Sequence, residues 1–196
     1  MQQTAILMQP HLSPGITLSI ATTIHHFEQI IALQRCNQRD ALTAEEQDEQ
    51  GFLYAQYTVD ILQQLASKEP QIIALDGDKV VAYNLTIATS LVNALPDLKA
   101  MFYAFDHTEY NGRLLSTYAY VVGGQICVDK HYHGHGLLKH LYNETKRLTS
   151  SRYELCVTDV SQRNTRSLNA HIKTGFEIAG TYPHDGEIWN TVVWKW

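Results

Sequence analysis

The chain has 196 residues, enough for one domain with a full core and too few for two comfortable ones. A hydrophobic fraction of 44% is ordinary for a soluble globular protein, and no run approaches the roughly 18 apolar residues of a membrane span. The formal charge of −5 argues against a nucleic-acid partner, which needs a basic face.

Alternating strands and helices are predicted in chain order. The first residues, MQQTAILMQPHLSP, lack the basic and apolar regions of a signal peptide, and poor order is expected over 1–14. Ile16, Leu18 and Ile20 alternate, which predicts a strand. Thr22 or Thr23 caps a helix from Ile24, with Phe27, Ile30 and Ile31 on its apolar face. Residues 43–67 open with a capping-box pattern, are interrupted at Gly51 and end at Pro70. Asp76-Gly77-Asp78 joins two strands, 71–75 and 79–87, in a hairpin. A short helix is expected around 98–105 and a turn at Asn111-Gly112. Residues 115–128 predict one long strand, with Gly123-Gly124 marking a bulge or splay. A helix over about 136–149 follows, then a strand over 153–160 and a helix over 164–174 stopped by Gly175. Residues 176–182 and 188–196 close the chain as a pair around His184-Asp185-Gly186. The edge of that pair, ending in Val192-Val193-Trp194-Lys195-Trp196, suits a homodimer contact. Three cysteines without motif spacing, two of them inside apolar runs (Cys127 and Cys156), fit free thiols in a reducing, cytoplasmic setting.

The most informative segment is 124–142. An apolar run, Ile126 to Val128, leads to the turn His133-Gly134-His135-Gly136, which opens into Leu137, Leu138 and Leu141. Free N–H groups and the macrodipole at a helix N-terminus favour an anion there. Glycines let the main chain approach a phosphate without a Cβ in the way. A competing reading takes His131, His133, His135 and His140 as metal ligands of a hydrolase, but the glycines break the shared face such ligands need. Solvated loop histidines are the plainer reading, and no metal is expected. A Cys127–His nucleophilic pair is disfavoured because a strand-embedded thiol is inert.

Two segments together resemble the GNAT superfamily of N-acetyltransferases. One is Val128 to Leu138, similar to the family's Q/R-x-x-G-x-G/A cofactor motif after a strand. The other is Asn164, Ser167, His171, Gly175 and Phe176, which fall at the offsets of its later helix. The resemblance covers about residues 70–196, with a cofactor-binding core over about 115–180 in one domain spanning 1–196. Three positions depart from the pattern: His133 stands for Arg or Gln, Leu138 for Gly or Ala, and His171 for Tyr.

The resemblance implies a mixed α/β fold: a twisted, mostly antiparallel sheet splayed at its central strands, with helices on both faces. It implies acetyl transfer from acetyl-CoA to a primary amine, small-molecule or peptide, by direct attack. The pyrophosphate is expected on the N–H groups of Gly134, His135, Gly136, Leu137, Leu138 and Lys139, with His133 beside it. The pantetheine arm is expected on the backbone of Ile126 and Val128, with Asn164 and Ser167 opposite. A backbone N–H at Cys127 or Val128 is the candidate oxyanion donor, and His171 the candidate acid for the leaving thiolate. No Asp or Glu lies on the strand Ser116–Val128, so the base is left open between a pre-neutralised amine and residues 184–187. A non-catalytic acyl-CoA-binding module is the alternative function, sustained by that missing carboxylate and by Leu138.

Overall fold

The computed structural model describes residues 12–196, so the expectations for residues 1–11 lie outside the described part. The elements are β1 (Ile16–Ile20), α1 (Ile24–Cys36), α2 (Ala44–Gln50), α3 (Val59–Ala66), β2 (Ile72–Asp76), β3 (Lys79–Ile87) and α4 (Lys99–Asp106). After these come β4 (Glu109–Tyr110), β5 (Arg113–Leu114), β6 (Tyr120–Val128), α5 (Leu137–Thr149), β7 (Leu155–Ser161), α6 (Thr165–Thr174), β8 (Glu177–His184) and β9 (Glu187–Lys195). Local chemistry sets the helix starts. Thr23, Thr43 and Thr58 each accept from the backbone three residues on, and Thr43 with Glu46 completes a capping box.

Seven strands form one sheet in the order β1-β2-β3-β6-β7-β9-β8, and β6–β7 is its parallel pair. Helices cover both faces. On one, Ile30 of α1, Leu62 of α3 and Phe105 of α4 pack on Tyr83, Ile87 and Val122. On the other, Leu137 and Leu141 of α5 pack on Ile72 and Ala82, while Tyr142 packs with Val121, Cys156 and Phe176. No helix among the described residues is long and apolar enough to cross a membrane.

Two sequence expectations are corrected. Residues 115–117 are a single 3₁₀ turn rather than the start of β6. Local bonds curl them: Thr117 donates to the Leu114 carbonyl and Arg113 to the Thr117 carbonyl. The C-terminal strand is also not an edge. β9 inserts between β7 and β8, burying Val192 and Val193, and β8 is the outer strand.

The feature that positions the site is the divergence of β6 from β7. Their pairing spans Tyr120–Val122 against Leu155–Val157 and stops there. Beyond it, the Thr158 hydroxyl donates to the Gly123 carbonyl and occupies the acceptor a strand would have used. On the β3 side, Leu85 pairs with Gln125 but Thr86 with Gly123, so Gly124 is the bulged residue. A Cβ on Gly124 would lie 2.3 Å from Ile87 Cδ1, which is why the position holds glycine.

A buried ion pair ties the end of α3 to the start of β7. Glu69 is 2% exposed and accepts two bonds from Arg152 and one from the Tyr153 hydroxyl. Arg152→Ala leaves that carboxylate with one partner. The expected loss is about 2–3 kcal/mol, below that for a fully buried pair because Arg152 is half exposed. Thermal or urea unfolding should register it, and a loss under about 0.5 kcal/mol would contradict this role.

Candidate active site

The splay leaves one edge of β6 without a neighbouring strand. The Asp129 N–H donates to the Val81 carbonyl on β3, at 2.8 Å. Alternation along the strand therefore turns the N–H and C=O groups of Ile126 and Val128 away from β3, into the splay. The same alternation turns the Cys127 N–H toward β3, which removes it as the oxyanion donor and leaves Val128. The Cys127 thiol is buried, and burial pushes its pKa up, so it is no nucleophile.

Below this edge the chain makes the turn to α5. Gly134 and Gly136 both have positive φ, 84° and 69°, and Gly136 is the N-cap. Nothing lies within 4 Å of a Cβ built on either one, so the backbone there faces open space. The α5 N-terminus has no side-chain cap, which leaves its first N–H groups free for an anion. Leu137 buries its side chain against β2 and β3, and Leu138 packs against the cluster around Tyr142. The misfit at Leu138 is thereby accounted for, since its side chain serves packing while its backbone remains at the turn.

His133 differs from expectation. One ring nitrogen, Nε2, lies 3.0 Å from the Val128 carbonyl and must donate to it. Nδ1 then accepts from Arg166 Nη2 at 3.2 Å. Burial, with Arg166 nearby, holds the imidazole pKa below its usual value. Both nitrogens are committed, so His133 anchors the turn, and Arg166, which donates to it, is one of the cations that line the cleft. The sequence reading missed Arg166, although it sits two residues after Asn164.

Two cavities meet at the splay. A cleft of about 780 Å³ runs from β6 past the glycine turn to α6. Its lining carries Lys139, Arg166 and Lys173 and, among the described residues, no Asp or Glu. A second cavity of about 310 Å³ lies on the other side of Ile126, Asn164 and Ser167, which line both. This one carries Asp97, Asp159, Asp185 and Glu187 and, among the described residues, no Lys or Arg. Asp159 accepts from the Tyr182 hydroxyl, and burial pushes its carboxyl up to about 6. Glu187 accepts from Ser161 and pairs with Arg39 and Arg163, and its pKa lies below the usual range: burial raises it, but bonds from Ser161, Tyr54 and Arg163 outweigh that. Glu187 falls within the segment left open for the base. Asp159 was missed, because an acid inside the apolar run Val157–Val160 reads from sequence only as part of a strand.

Asn164 and His171 are more structural than expected. Asn164 caps α6, accepting from the Ser167 N–H at 3.1 Å, and donates to the Phe52 carbonyl at 2.9 Å. It thus clamps the loop after α2 onto the site, and Gly51 is needed because a Cβ there would lie 2.9 Å from Asn164 Oδ1. The His171 Nδ1 lies 2.8 Å from its own helix carbonyl at Ser167 and donates to it. Nε2 therefore carries no proton and accepts from the Tyr142 hydroxyl at 2.9 Å. Burial pushes His171 down to about 4. A neutral imidazole with a bare Nε2 has no proton to give a thiolate, which counts against the acid role expected for it.

The four histidines of 131–140 diverge. His135 Nδ1 is 2.7 Å from Ser13 Oγ, His140 is buried on α5, and His131 is exposed. Among the described residues no group of three or more His, Cys, Asp or Glu is placed to hold a metal. The hydrolase reading loses the convergence it required.

No family model and no curated protein sequence matches this chain. Solved structures do. A GNAT-family acetyltransferase from Streptococcus agalactiae superposes with a TM-score of 0.63 at 14% identity, over 95% of this chain and 99% of that one. The fold is that of the GNAT acetyltransferases. The ribosomal-protein-S18-alanine N-acetyltransferase of Escherichia coli gives 0.59 at 12% identity, covering 92% and 93%. A chain of the NatC complex bound to Gag peptide and CoA gives 0.61 at 13%, covering 92% and 98%. At these identities the likeness is one of fold, and the splayed GNAT sheet expected from the sequence is present.

Replacing His171 with Phe should strand the Tyr142 hydroxyl in a dry core. The expected cost is about 1–3 kcal/mol, a fall in Tm of several degrees. An unchanged Tm would show that the pair carries no structural weight.

Proposed function

We propose that the protein is an N-acetyltransferase that moves an acetyl group from acetyl-CoA to a primary amine. One observation carries the reading: a cationic cleft and an acidic cavity meet at the unpaired edge of β6. A polyphosphate suits the first and an ammonium the second. The fold of NatC, which is bound to CoA, supports the same assignment.

The residues fit such a co-substrate. N–H groups of the Gly134–Lys139 turn, with Lys139, Arg166 and Lys173, would hold its phosphates. The N–H and C=O of Ile126 would pair with its amide arm as a neighbouring strand does, since the Val128 carbonyl already accepts from His133. When bound, it supplies an activated acyl thioester. The Val128 N–H is the donor aimed into the splay and would hold the acyl oxygen as charge develops there. Asp159 would take the proton of the entering ammonium, leaving a neutral nitrogen to attack. Its raised pKa of about 6 keeps it mostly ionised at neutral pH and makes it a stronger base than an ordinary carboxylate. The grounds for a non-catalytic binding module, a missing carboxylate and Leu138, are weakened by Asp159 and by the packing of Leu138. The free cysteines, two of them buried, fit action in the cytoplasm.

Thiol release from acetyl-CoA against an amine library tests the reading, alongside the rise in Tm that CoA should cause. Absence of both would overturn it. For the base, kcat/KM should fall as the pH drops through about 6, where Asp159 becomes protonated. Asp159→Asn should lower turnover by about 10²–10⁴-fold and remove that limb of the profile. An unchanged profile would exclude Asp159. Arg166→Ala should raise KM for acetyl-CoA about tenfold with kcat largely kept, as expected for one lost charge-assisted phosphate contact of about 1.5 kcal/mol. Equal KM values would remove Arg166 from the cofactor site.

A further inference from the structure

The acidic cavity holds more negative charge than one ammonium needs, and the charges lie at two depths. Asp159 is at the floor, beside Gly124 and Tyr182. Asp97, before α4, and Asp185, in the β8–β9 turn, are exposed at the rim. None of the three forms a salt bridge with Lys or Arg among the described residues, and the imidazole that shares the cavity with them at the rim is His184, whereas Glu187 is already paired with Arg39 and Arg163. Between the two levels the wall is apolar, with Phe52, Leu53, Leu98, Met101 and Trp189.

A second observation points to a ligand at the floor. Tyr57 is 6% exposed and its hydroxyl has no hydrogen-bond partner. It lies 3.6 Å from the place a Cβ on Gly124 would take, and Gly124 lines the cavity. Buried hydroxyls left unpaired are uncommon, because each costs about 1–3 kcal/mol. An ammonium, or the water it carries, would satisfy the Tyr57 hydroxyl. Among the described residues no Lys or Arg lines the cavity to receive a carboxylate, and His184 is the only imidazole exposed at its rim, so an amino-acid acceptor would set its carboxylate against three acids.

We propose that the acceptor is an aliphatic diamine or polyamine, a primary amine joined by a short methylene chain to a second cationic nitrogen; this rests on the acetyl-transfer reading above. The reacting amine sits at the floor with Asp159 and the unpaired Tyr57 hydroxyl. Methylenes lie along the apolar wall, and the distal cation meets Asp97 and Asp185 at the rim. In the transfer, the bond from the acyl carbon to the thioester sulfur breaks and an amide C–N bond forms. One proton leaves the ammonium for Asp159 before attack. A second leaves the nitrogen as the amide forms, and the released thiolate takes up one proton, so the products are the N-acetyl amine, CoA thiol and one net proton. The distal nitrogen is unchanged.

The test compares 1,4-diaminobutane with 1-aminobutane on the full chain at low ionic strength, by thermal shift in the presence of CoA and by thiol release. The diamine should stabilise at concentrations at least tenfold lower and show kcat/KM at least tenfold higher, with the gap narrowing in salt. The double variant Asp97→Asn/Asp185→Asn should shrink the diamine-to-monoamine ratio at least fivefold. Equal behaviour of the two amines, or a preference for glycine or a neutral peptide amide, overturns the proposal. A CoA shift without diamine preference overturns it while acetyl transfer stands. Diamine preference with no CoA shift and no thiol release keeps the two-cation cavity and overturns acetyl transfer.

Discussion

Backbone polar groups in a sheet must find partners, and much of this site depends on how β6 meets that demand where it leaves β7. Parallel pairing ends at Val122. The Thr158 hydroxyl satisfies the Gly123 carbonyl, the Gly124 bulge bends the strand, and His133 satisfies the Val128 carbonyl. What is left is a short stretch of strand with unpaired groups facing a cavity, held open by side chains rather than closed by another strand. An extended amide-bearing ligand can complete it.

The opening also separates charge. In a chain of net charge −5, the cleft on one side gathers Lys139, Arg166 and Lys173, and the cavity on the other gathers acids. Asn164 stands at the junction, capping α6 while clamping the loop from Gly51. A local capping rule and a long-range tie are met by one carboxamide. The positively and negatively lined cavities therefore meet at the same few atoms of β6.

His133 and His171 show how a resemblance carries over unevenly. Both occupy positions that a family pattern marks, yet each ring has its two nitrogens bound within the fold. The Tyr142 hydroxyl occupies His171 Nε2, the atom that the expected acid role would need. His133 spends its ring nitrogens on the Val128 carbonyl and Arg166, and both side chains line the cleft. The offsets along the chain are those of the motif, but the partners that decide each role come from other helices.

Much of the fold was legible because its signals are local. Period-two and helical patterns placed the strands and helices, threonines and Asn164 marked helix starts, and Gly124, Gly134 and Gly136 marked backbone that a Cβ would disturb or strain. The cofactor half of the candidate site shared that legibility, since strand, turn and helix are contiguous. The acceptor half did not. Asp159 meets Tyr182 across 23 residues, and Arg166 meets His133 across 33, and no periodicity links such pairs. Nor does alternation say which strand of the last hairpin enters the sheet, or that residues 115–117 curl away from β6. The sequence by itself determined most of the elements and the glycine turn before α5, because these follow from neighbouring residues. Only the tertiary structure decided which acid, which cation and which histidine nitrogen face the cavities, because burial and distant partners set those roles.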